Sequence, residues 1–248
     1  MKKILALVFV LLSACSMQRP NKIVILISAN AEWGVVKSVF PSENFKSTPW
    51  GEFFEKEMET GNGKKPVIFF HEGWGKTAAA GATQYAIDKW NPDYMVNIGT
   101  CGGFDGKINR YEIVLVNKTV IYDVKEAMAD SKEAINDYVT ELDLSWFKVE
   151  PSDSVKTTLL VSADGDLVPK EIPFLEENYQ AIAGDWESGS IAYTCKRNQK
   201  KLIILRGVTD LVSAKGGEAY GNNQVFENGT DIVMRKLIRQ LPRWLDKF

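Results

Sequence analysis

Lys22-Ile23-Val24-Ile25-Leu26-Ile27 is an uninterrupted run of aliphatic residues after a single lysine, and it ends at Ser28-Ala29-Asn30. A run without polar interruption is typical of a strand whose two faces are both covered. Coverage of both faces requires helices on each side of a sheet. The run therefore favours an α/β fold for the chain that follows it.

Further apolar runs, each closed by Gly, Asp or Ser, occur downstream at 66–70, 94–98, 113–116, 158–162 and 202–208. Helical spacing of apolar residues falls between several of them, at 76–90, 187–197 and 225–245. This alternation predicts a single α/β domain, with a sheet sandwiched between helices, that extends from residue 22 to residue 248. The polar, weakly periodic segment 125–153 has three interpretations: a lid, a partner contact or a plain surface excursion.

The composition of the chain excludes several classes of function. Its 248 residues are 45% hydrophobic and carry a net charge of -2, without the clustered Lys and Arg that nucleic-acid binding requires. The single histidine, His71, and the cysteines at 15, 101 and 195 offer no His-rich or Cys-x-x-Cys metal site. We therefore expect no metal and no cofactor, and we treat Cys101 and Cys195 as free thiols.

The N-terminus has the pattern of an export signal. Lys2-Lys3 precedes an apolar stretch that is too short to span a bilayer, and Leu12-Ser13-Ala14-Cys15 follows it. That tetrapeptide resembles a bacterial lipobox, which implies a lipoprotein signal peptide over 1–14, lipidation of Cys15 and a tether over 15–21. We expect a lipid-anchored protein of the bacterial cell envelope, on the outer membrane or facing the periplasm if the source has one. A general secretory signal or a buried first helix is the alternative.

Two segments begin a known catalytic pattern without completing it. Gly73-Trp74-Gly75-Lys76-Thr77 ends like a phosphate-binding loop, but the GxxxxGK[ST] pattern needs glycine where this chain has Phe70. His71 has no Gly-x-Ser-x-Gly elbow to supply a serine nucleophile. We interpret the glycines as a tight strand-to-helix turn and His71 as a polar residue at the end of a strand.

Three acidic residues lie at the ends of predicted elements: Glu32 past the first strand, Glu187 at the start of a helix and Asp210 past a later strand. Ligands of open α/β sheets bind beyond the carboxyl ends of the strands, which favours convergence of these residues on a pocket. Each also has a purely structural explanation, since Glu187 suits a helix N-terminus and Asp210 suits an N-cap.

Three segments resemble signatures of the nucleoside phosphorylase/nucleosidase superfamily and, more narrowly, of its 5'-methylthioadenosine/S-adenosylhomocysteine nucleosidases. They are Asn97-Ile98-Gly99-Thr100-Cys101-Gly102-Gly103-Phe104, Asp185-Trp186-Glu187-Ser188-Gly189-Ser190-Ile191-Ala192 and Arg206-Gly207-Val208-Thr209-Asp210-Leu211-Val212. Trp186 replaces the usual Met of the second segment. The similarity extends from about Ile23 to Leu241. It implies a single-domain three-layer α/β/α sandwich around a twisted mixed β-sheet, which commonly forms a homodimer.

By this resemblance the chain hydrolyses the N-glycosidic bond of an adenine nucleoside: 5'-methylthioadenosine, S-adenosylhomocysteine or a relative. Asp210 is expected to protonate or hydrogen-bond N7 of the base, Glu187 to hold the ribose hydroxyls and Glu32 to orient the attacking water. The remaining residues expected to bind the substrate are Ala29, Thr100, Cys101, Gly102, Leu167 and Trp186.

The choice between hydrolysis and phosphorolysis depends on the charge of the site. Phosphorolysis needs an anion pocket, whereas hydrolysis needs a positioned water. The loop 28–35 carries Glu32 and no Lys or Arg, which favours hydrolysis. Arg206 has two possible roles, as a phosphate ligand or as a member of a structural ion pair. A purine nucleoside phosphorylase and a non-catalytic nucleoside-binding lipoprotein are the alternatives, and the sequence does not identify the 5' substituent.

Overall fold

The computed structural model describes residues 21–150 and 153–248. The predicted signal peptide, the lipidation site Cys15 and all but the last residue of the tether lie outside the described residues. Among the helices of the described residues, none is long and apolar enough to cross a membrane.

Within this part of the chain, eleven strands join one mixed sheet. They are β1 (Ile23–Ile27), β2 (Lys46–Ser47), β3 (Glu52–Thr60), β4 (Gly63–His71), β5 (Tyr94–Phe104), β6 (Ile113–Ile121), β7 (Val139–Glu141), β8 (Val155–Ser162), β9 (Ala183–Asp185), β10 (Lys201–Ser213) and β11 (Gly216–Gly217).

The α-helices of the described residues are α1 (Asn30–Val39), α2 (Gly75–Trp90), α3 (Ser131–Asn136), α4 (Ile172–Tyr179), α5 (Ser188–Arg197) and α6 (Asn223–Leu245). A short 3-10 helix, Pro169–Glu171, leads into α4. The helix α2 ends at Asn91, which adopts a left-handed conformation (φ 42°) before Pro92. A left-handed residue followed by proline is a common way to stop a helix.

The alternation of side chains along β1 shows why its sequence is apolar throughout. Ile23, Ile25 and Ile27 belong to one core cluster with residues of α1 and α6, whereas Val24 and Leu26 belong to a second cluster with residues of α2 and α5. Because successive side chains of a strand point to opposite faces, each face of the sheet needs its own helical layer. The predicted α/β/α architecture around a mixed sheet is confirmed.

Part of the sheet closes on itself. β1 pairs in parallel with β4 and with the first half of β5. β5 pairs in parallel with β10, and its last residues pair with β9. β9 pairs with β8, β8 with β6, and β6 with β10. The five strands β5, β10, β6, β8 and β9 therefore form a closed circuit. The carboxyl ends of β1, β5 and β10 therefore meet at one edge.

The polar segment 125–153, for which the sequence allows three interpretations, packs against the rest of the protein over its described residues. It contains α3 and β7, and β7 pairs with β6. Phe147 is buried in the same cluster as α6. Asp153, only 1% exposed, forms ion pairs with Arg243 and Lys247 near the C-terminus. The described part of the segment thus lies on the surface and is held to the core by strand pairing, by buried Phe147 and by the ion pairs of Asp153.

Candidate active site

A cavity of about 360 Å³ opens at the edge where β1, β5 and β10 end. All nine residues predicted for substrate binding and catalysis line it: Ala29, Glu32, Thr100, Cys101, Gly102, Leu167, Trp186, Glu187 and Asp210. Parallel strands bring their carboxyl ends to one edge, and this topology collects residues that are up to 181 positions apart in the chain. The structure thus brings these nine residues together in one cavity wall.

Glu32 is almost completely buried and accepts four hydrogen bonds. Its Oε1 accepts from the Thr100 backbone amide (2.6 Å) and hydroxyl (2.8 Å). Its Oε2 accepts from the backbone amides of Ser28 (3.3 Å) and Ala29 (3.1 Å). A carboxylate has about four lone-pair positions, so these contacts fill its acceptor capacity. Glu32 is thus fixed on the first turn of α1 and faces β5.

Arg206 lies beneath this cavity with none of its surface exposed. Its Nη2 is 2.9 Å from Asp185 Oδ2, and its Nη1 is 3.7 Å from Glu32 Oε1. The same guanidinium donates to Ser188 Oγ and Asn97 Oδ1, at 2.9 and 2.8 Å. Its hydrogen-bonding capacity is therefore taken up by protein groups, which makes Arg206 a structural ion-pair partner.

Glu187 immediately precedes α5 and accepts a hydrogen bond at Oε1 from the Gly75 backbone amide (3.0 Å). Burial, reinforced by the nearby Asp185 carboxylate, raises the pKa of Glu187 to about 8. A carboxyl that burial makes costly to ionise gains from any hydroxyl group that hydrogen-bonds to its charged form. Glu187 is therefore well suited to binding a diol.

Asp210 follows an irregularity in the pairing of β10 with β5. Val208 pairs with Cys101 and Asp210 with Gly102, so Thr209 is an extra residue without a partner on β5. The Thr209 hydroxyl donates to Asp210 Oδ1 at 2.6 Å. Burial raises the pKa of Asp210, and the Thr209 hydrogen bond opposes this effect. The bulge thus places a carboxyl that holds a proton more readily than usual in the cavity wall.

The loop that resembles a phosphate-binding loop is held by carboxylates. Besides the Gly75 amide on Glu187, the Lys76 backbone amide donates to Asp164 Oδ1 (2.7 Å), and Lys76 Nζ pairs with Asp123. Gly75 has a φ of +79°, and a Cβ there would lie 2.8 Å from Asp164 Oδ1. The glycine is therefore required both by its backbone conformation and by the close approach of Asp164, as in a strand-to-helix turn.

Several cavity residues escape the sequence analysis: Trp74, Gly165, Asp166, Gly184, Asp185, Thr209, Val212, Ala219, Tyr220, Asn223 and Phe226. Asp185 and Thr209 lie within the quoted family segments, which is a signal that was available. The Tyr220 hydroxyl donates to the Leu167 carbonyl at 2.5 Å and so joins two loops of the cavity wall. Contacts of this kind depend on loop paths that no periodicity encodes.

Among the described residues, no Lys, Arg or His lines the cavity, whereas five carboxylates do: Glu32, Asp166, Asp185, Glu187 and Asp210. His71 lies elsewhere, stacked on Trp33 with ring centroids 5.4 Å apart. Cys101 and Cys195 are buried free thiols, as expected. Across 21–150 and 153–248, no cluster of three or more His, Cys, Asp or Glu forms a candidate metal site.

The sequence of the chain matches a known protein family. The sequence model of the phosphorylase superfamily matches residues 22–239. The chain belongs to this superfamily. The match spans the elements from β1 into α6, and it confirms the family that the three quoted segments suggested.

Similar proteins within the phosphorylase superfamily include nucleosidases of several bacteria. A 5'-methylthioadenosine/S-adenosylhomocysteine nucleosidase from Psychromonas ingrahamii is 25% identical over 203 residues, which cover 77% of this chain and 86% of the relative. The fold matches that of the same type of nucleosidase from Colwellia psychrerythraea in complex with adenine (TM-score 0.70, 19% identity, 92% of this chain and 96% of that one). It also matches futalosine hydrolase from Helicobacter pylori (TM-score 0.72, 18% identity, 90% and 98%).

Proposed function

We propose that this protein hydrolyses the N-glycosidic bond of an adenine nucleoside, 5'-methylthioadenosine, S-adenosylhomocysteine or a relative, and releases adenine and a ribose derivative. The observation that carries the proposal is the convergence of Asp210, Glu187 and Glu32 on one cavity whose described lining contains no cationic side chain. The names of the similar nucleosidases support the same reaction.

Asp210 serves the leaving base. Cleavage of the glycosidic bond leaves electron density on the purine, so a proton or hydrogen bond at N7 stabilises the departing group. The burial that raises the pKa of Asp210 keeps a proton available for this transfer. The Thr209 hydroxyl, 2.6 Å from Oδ1, fixes the orientation of the carboxyl. The second carboxyl oxygen of Asp210 is then free to face the base.

Glu187 serves the sugar. Its carboxylate accepts hydrogen bonds from the ribose hydroxyls, and the Gly75 amide holds Oε1 in place at 3.0 Å. The transition state carries positive charge on the ribosyl ring, so a nearby carboxylate stabilises it more than it stabilises the neutral substrate. Trp186, next to Glu187 in the chain, also lines the cavity and packs against the sugar or the base.

Glu32 serves the attacking water. Its four acceptor positions are occupied by Thr100, Ser28 and Ala29, so a water gains access when the Thr100 hydroxyl turns to another acceptor. Rotation about one side-chain bond is sufficient, because the Thr100 backbone amide keeps its own hydrogen bond to Oε1. Glu32 then orients the water and accepts its proton as the bond to C1' forms.

The charge of the cavity favours water over phosphate as the nucleophile. Arg206 is the cation nearest to Glu32 among the described ion pairs, and it is occupied by Asp185, Asn97 and Ser188. A phosphate would approach five carboxylates without a free cationic partner, which is electrostatically unfavourable. A purine nucleoside phosphorylase is therefore the second candidate function.

The test is base release by the full-length protein, with and without phosphate: adenine from 5'-methylthioadenosine, S-adenosylhomocysteine and adenosine, and hypoxanthine from inosine. We expect release without phosphate, and a loss of about 100-fold or more in kcat for Asp210→Asn. Asp231→Asn, on the exposed side of α6, is the matched control and should retain full activity. Release that depends on phosphate would indicate a phosphorylase, and binding without turnover would indicate a nucleoside-binding lipoprotein.

We also propose that the protein is a lipoprotein of the bacterial cell envelope, anchored through Cys15. The support is the Leu12-Ser13-Ala14-Cys15 sequence after a short apolar stretch. Each buried CH₂ of an acyl chain contributes about 0.8 kcal/mol, so several chains hold a domain firmly at a membrane. In a bacterial host, wild-type protein should sediment with membranes and Cys15→Ser should not. Equal distribution of the two would contradict the proposal.

A homodimer is the assembly that the superfamily resemblance favours, and we propose it for this chain. Analytical ultracentrifugation of the detergent-solubilised protein measures the mass directly. A species with the mass of two processed chains, corrected for lipid and detergent, supports the proposal, and a species with the mass of one processed chain contradicts it.

A further inference from the structure

Glu72 lies directly after β4 and reaches Glu32 through a single serine. Ser28 Oγ donates to Glu72 Oε1 at 2.9 Å, and the Ser28 backbone amide donates to Glu32 Oε2 at 3.3 Å. Ser28 thus contacts one carboxyl with its side chain and the other with its backbone. Glu72 itself does not line the cavity, so any effect that it has on the reaction passes through its neighbours.

Glu72 is anchored to two regular elements. Its backbone amide donates to the Ile27 carbonyl at 2.9 Å, which continues the pairing of β4 with β1. Its Oε2 accepts from Thr83 Oγ1 of α2 at 3.2 Å. Ser28, Glu72 and Thr83 have no exposed surface, so water has no access to replace any of these partners. The position of Ser28 therefore depends on Glu72.

Glu32 in turn depends on the turn that contains Ser28. Its Oε2 accepts from the adjacent backbone amides of Ser28 (3.3 Å) and Ala29 (3.1 Å). Its Oε1 accepts from the amide and the hydroxyl of Thr100, and the hydroxyl turns away in the proposed mechanism to admit the water. Two of the three hydrogen bonds that then remain on Glu32 come from the Ser28–Ala29 turn.

The Glu72 carboxyl suits these acidic surroundings because it is neutral. Burial raises the pKa of Glu72 to about 8, against the opposing effect of the Ser28 hydrogen bond, so Glu72 carries a proton at neutral pH. A hydroxyl both donates and accepts, so the contacts with Ser28 and Thr83 persist whichever oxygen holds the proton. Glu72 thus holds Ser28 without adding a negative charge beside Glu32.

We propose that Glu72 is a positioning residue for the hydrolysis: it holds the Ser28 amide on Glu32 and thereby fixes the carboxylate that orients the attacking water. The inference rests on the proposed function, in which Glu32 accepts the proton of that water. A displacement of about 1 Å at a reacting group can cost about 100-fold in rate, so a partial loosening of Glu32 is measurable. Because Glu32 contacts the water and not the nucleoside, the effect falls on kcat and not on KM.

The experiment measures kcat and KM for base release by the full-length protein, with the nucleoside of the panel above that has the highest kcat/KM. Glu72→Met keeps a similar volume and removes the hydrogen bonds, whereas Glu72→Gln keeps an acceptor oxygen and a donor amide. Ser28→Ala removes the hydroxyl and leaves the backbone amide. The double variant Ser28→Ala/Glu72→Met completes a double-mutant cycle. Asp153→Asn, which changes a buried carboxyl paired with Arg243 and Lys247 away from the cavity, is the matched control.

We expect Glu72→Met and Ser28→Ala each to lower kcat at least about tenfold, with KM changed less than about twofold. The double variant should lie within about twofold of the slower single variant, because both changes break the same link. Glu72→Gln should retain at least about one third of the wild-type kcat. Asp153→Asn should keep the wild-type kcat and KM even where urea unfolding shows a loss of stability.

The outcomes separate this inference from the proposed function. With base release by the wild type, an unchanged kcat in Glu72→Met or Ser28→Ala overturns the inference alone. So does a double variant whose loss is the product of the two single losses, or a KM that rises in step with the fall in kcat. If Glu72→Met does not fold, the kcat of Ser28→Ala decides, because that change removes one oxygen atom and keeps Glu72. No base release by the wild type, or release only with phosphate, overturns the proposed function and the inference together.

Discussion

At the scale of single residues, the organisation of the cavity depends on one buried cation. Arg206 is the largest charged side chain without exposed surface, and it contacts Asp185, Asn97, Ser188 and Glu32. Removing water from two carboxylates is costly unless a cation and hydrogen bonds replace it. The guanidinium provides both, and its five donors allow it to hold partners from four different elements, β9, β5, α5 and α1.

Replacement of Arg206 by Met tests this arrangement. Met has a similar volume but leaves Asp185 and Glu32 without their cation, so we expect the free energy of unfolding to fall by about 3–5 kcal/mol. Arg235→Met breaks an ion pair with Asp231 on the exposed face of α6 and should cost about 1 kcal/mol or less. Urea unfolding at pH 7 measures both, and equal losses for the two variants would contradict the structural role of Arg206.

The sequence predicts the acidic residues of the site better than its aromatic residues. In the sequence, Glu32 and Asp210 follow apolar runs and Glu187 precedes a helical pattern, and parallel topology brings such positions to one edge. In the structure Glu32 lies within α1 and Asp210 within the longer β10. Trp74 and Tyr220 reach the cavity from loops, where the path of the backbone depends on contacts such as Gly75 with Glu187. Residue type and spacing carry no record of these paths, so these residues emerge only from the structure.

At the scale of elements, the predicted strands are found, but the five that follow β1 are all longer than their apolar runs. β5 continues through Gly99 to Phe104 and β10 continues to Ser213, beyond the predicted ends at 98 and 208. Glycine weakens a strand when nothing requires it, which is why the sequence analysis ends β5 early. Here a Cβ at Gly99 would lie 1.9 Å from Arg206 Nη1, so the missing side chain makes room for the guanidinium.

Gly99→Ala and Gly34→Ala are matched changes with opposite expected effects. At Gly99 the added methyl meets Arg206 and Glu32 Oε1 (2.8 Å), so we expect a loss of about 1–3 kcal/mol and loss of adenine release. At Gly34, an exposed position of α1 with nothing within 4 Å of an added Cβ, we expect a gain of about 0.5–1 kcal/mol. Thermal unfolding and activity assays report both effects, and a neutral Gly99→Ala would contradict the close packing.

β3 is the longest of the five described strands that the sequence does not predict, the others being β2, β7, β9 and β11. β3 reads Phe53-Phe54-Glu55-Lys56-Glu57, with charges near its middle, and it lies between β4 and the two-residue strand β2 near the end of the sheet. Strands near a sheet edge commonly carry charged residues, because one of their faces or edges meets solvent. Uninterrupted apolar runs therefore mark the covered strands of this sheet, whereas the half-exposed strand β3 has no such run.

At the scale of the whole molecule, the layered order of helices and strands is predictable, and the closure of the sheet is not. Two-faced burial follows from the composition of β1, since each face needs a helical layer. The circuit of β5, β10, β6, β8 and β9 depends on pairings between residues far apart in the chain. That circuit brings β9, and with it Glu187, beside β5 and the proposed base site.

The closed core also contains a carboxyl that does not line the cavity. Glu72, directly after β4, has no exposed surface, and its oxygens accept hydrogen bonds from Ser28 Oγ (2.9 Å) and Thr83 Oγ1 (3.2 Å). Burial raises the pKa of Glu72 to about 8 from an ordinary value of 4.5, despite these hydrogen bonds. The folded state therefore binds a proton at Glu72 between these two pH values, where the unfolded state does not.

Global stability should consequently fall as the pH rises through this window. The stabilising contribution of protonated Glu72 is complete below about pH 4.5 and is lost as the pH passes about 8, with a slope of at most about 1.4 kcal/mol per pH unit. Glu72→Gln cannot ionise, so its free energy of unfolding relative to wild type should increase from pH 5 to pH 9. Urea unfolding at pH 5, 7 and 9 measures this difference. Glu55→Gln, on the exposed side of β3, controls for the loss of a surface charge. A difference between Glu72→Gln and wild type that stays constant with pH would show that Glu72 is ionised in the folded protein.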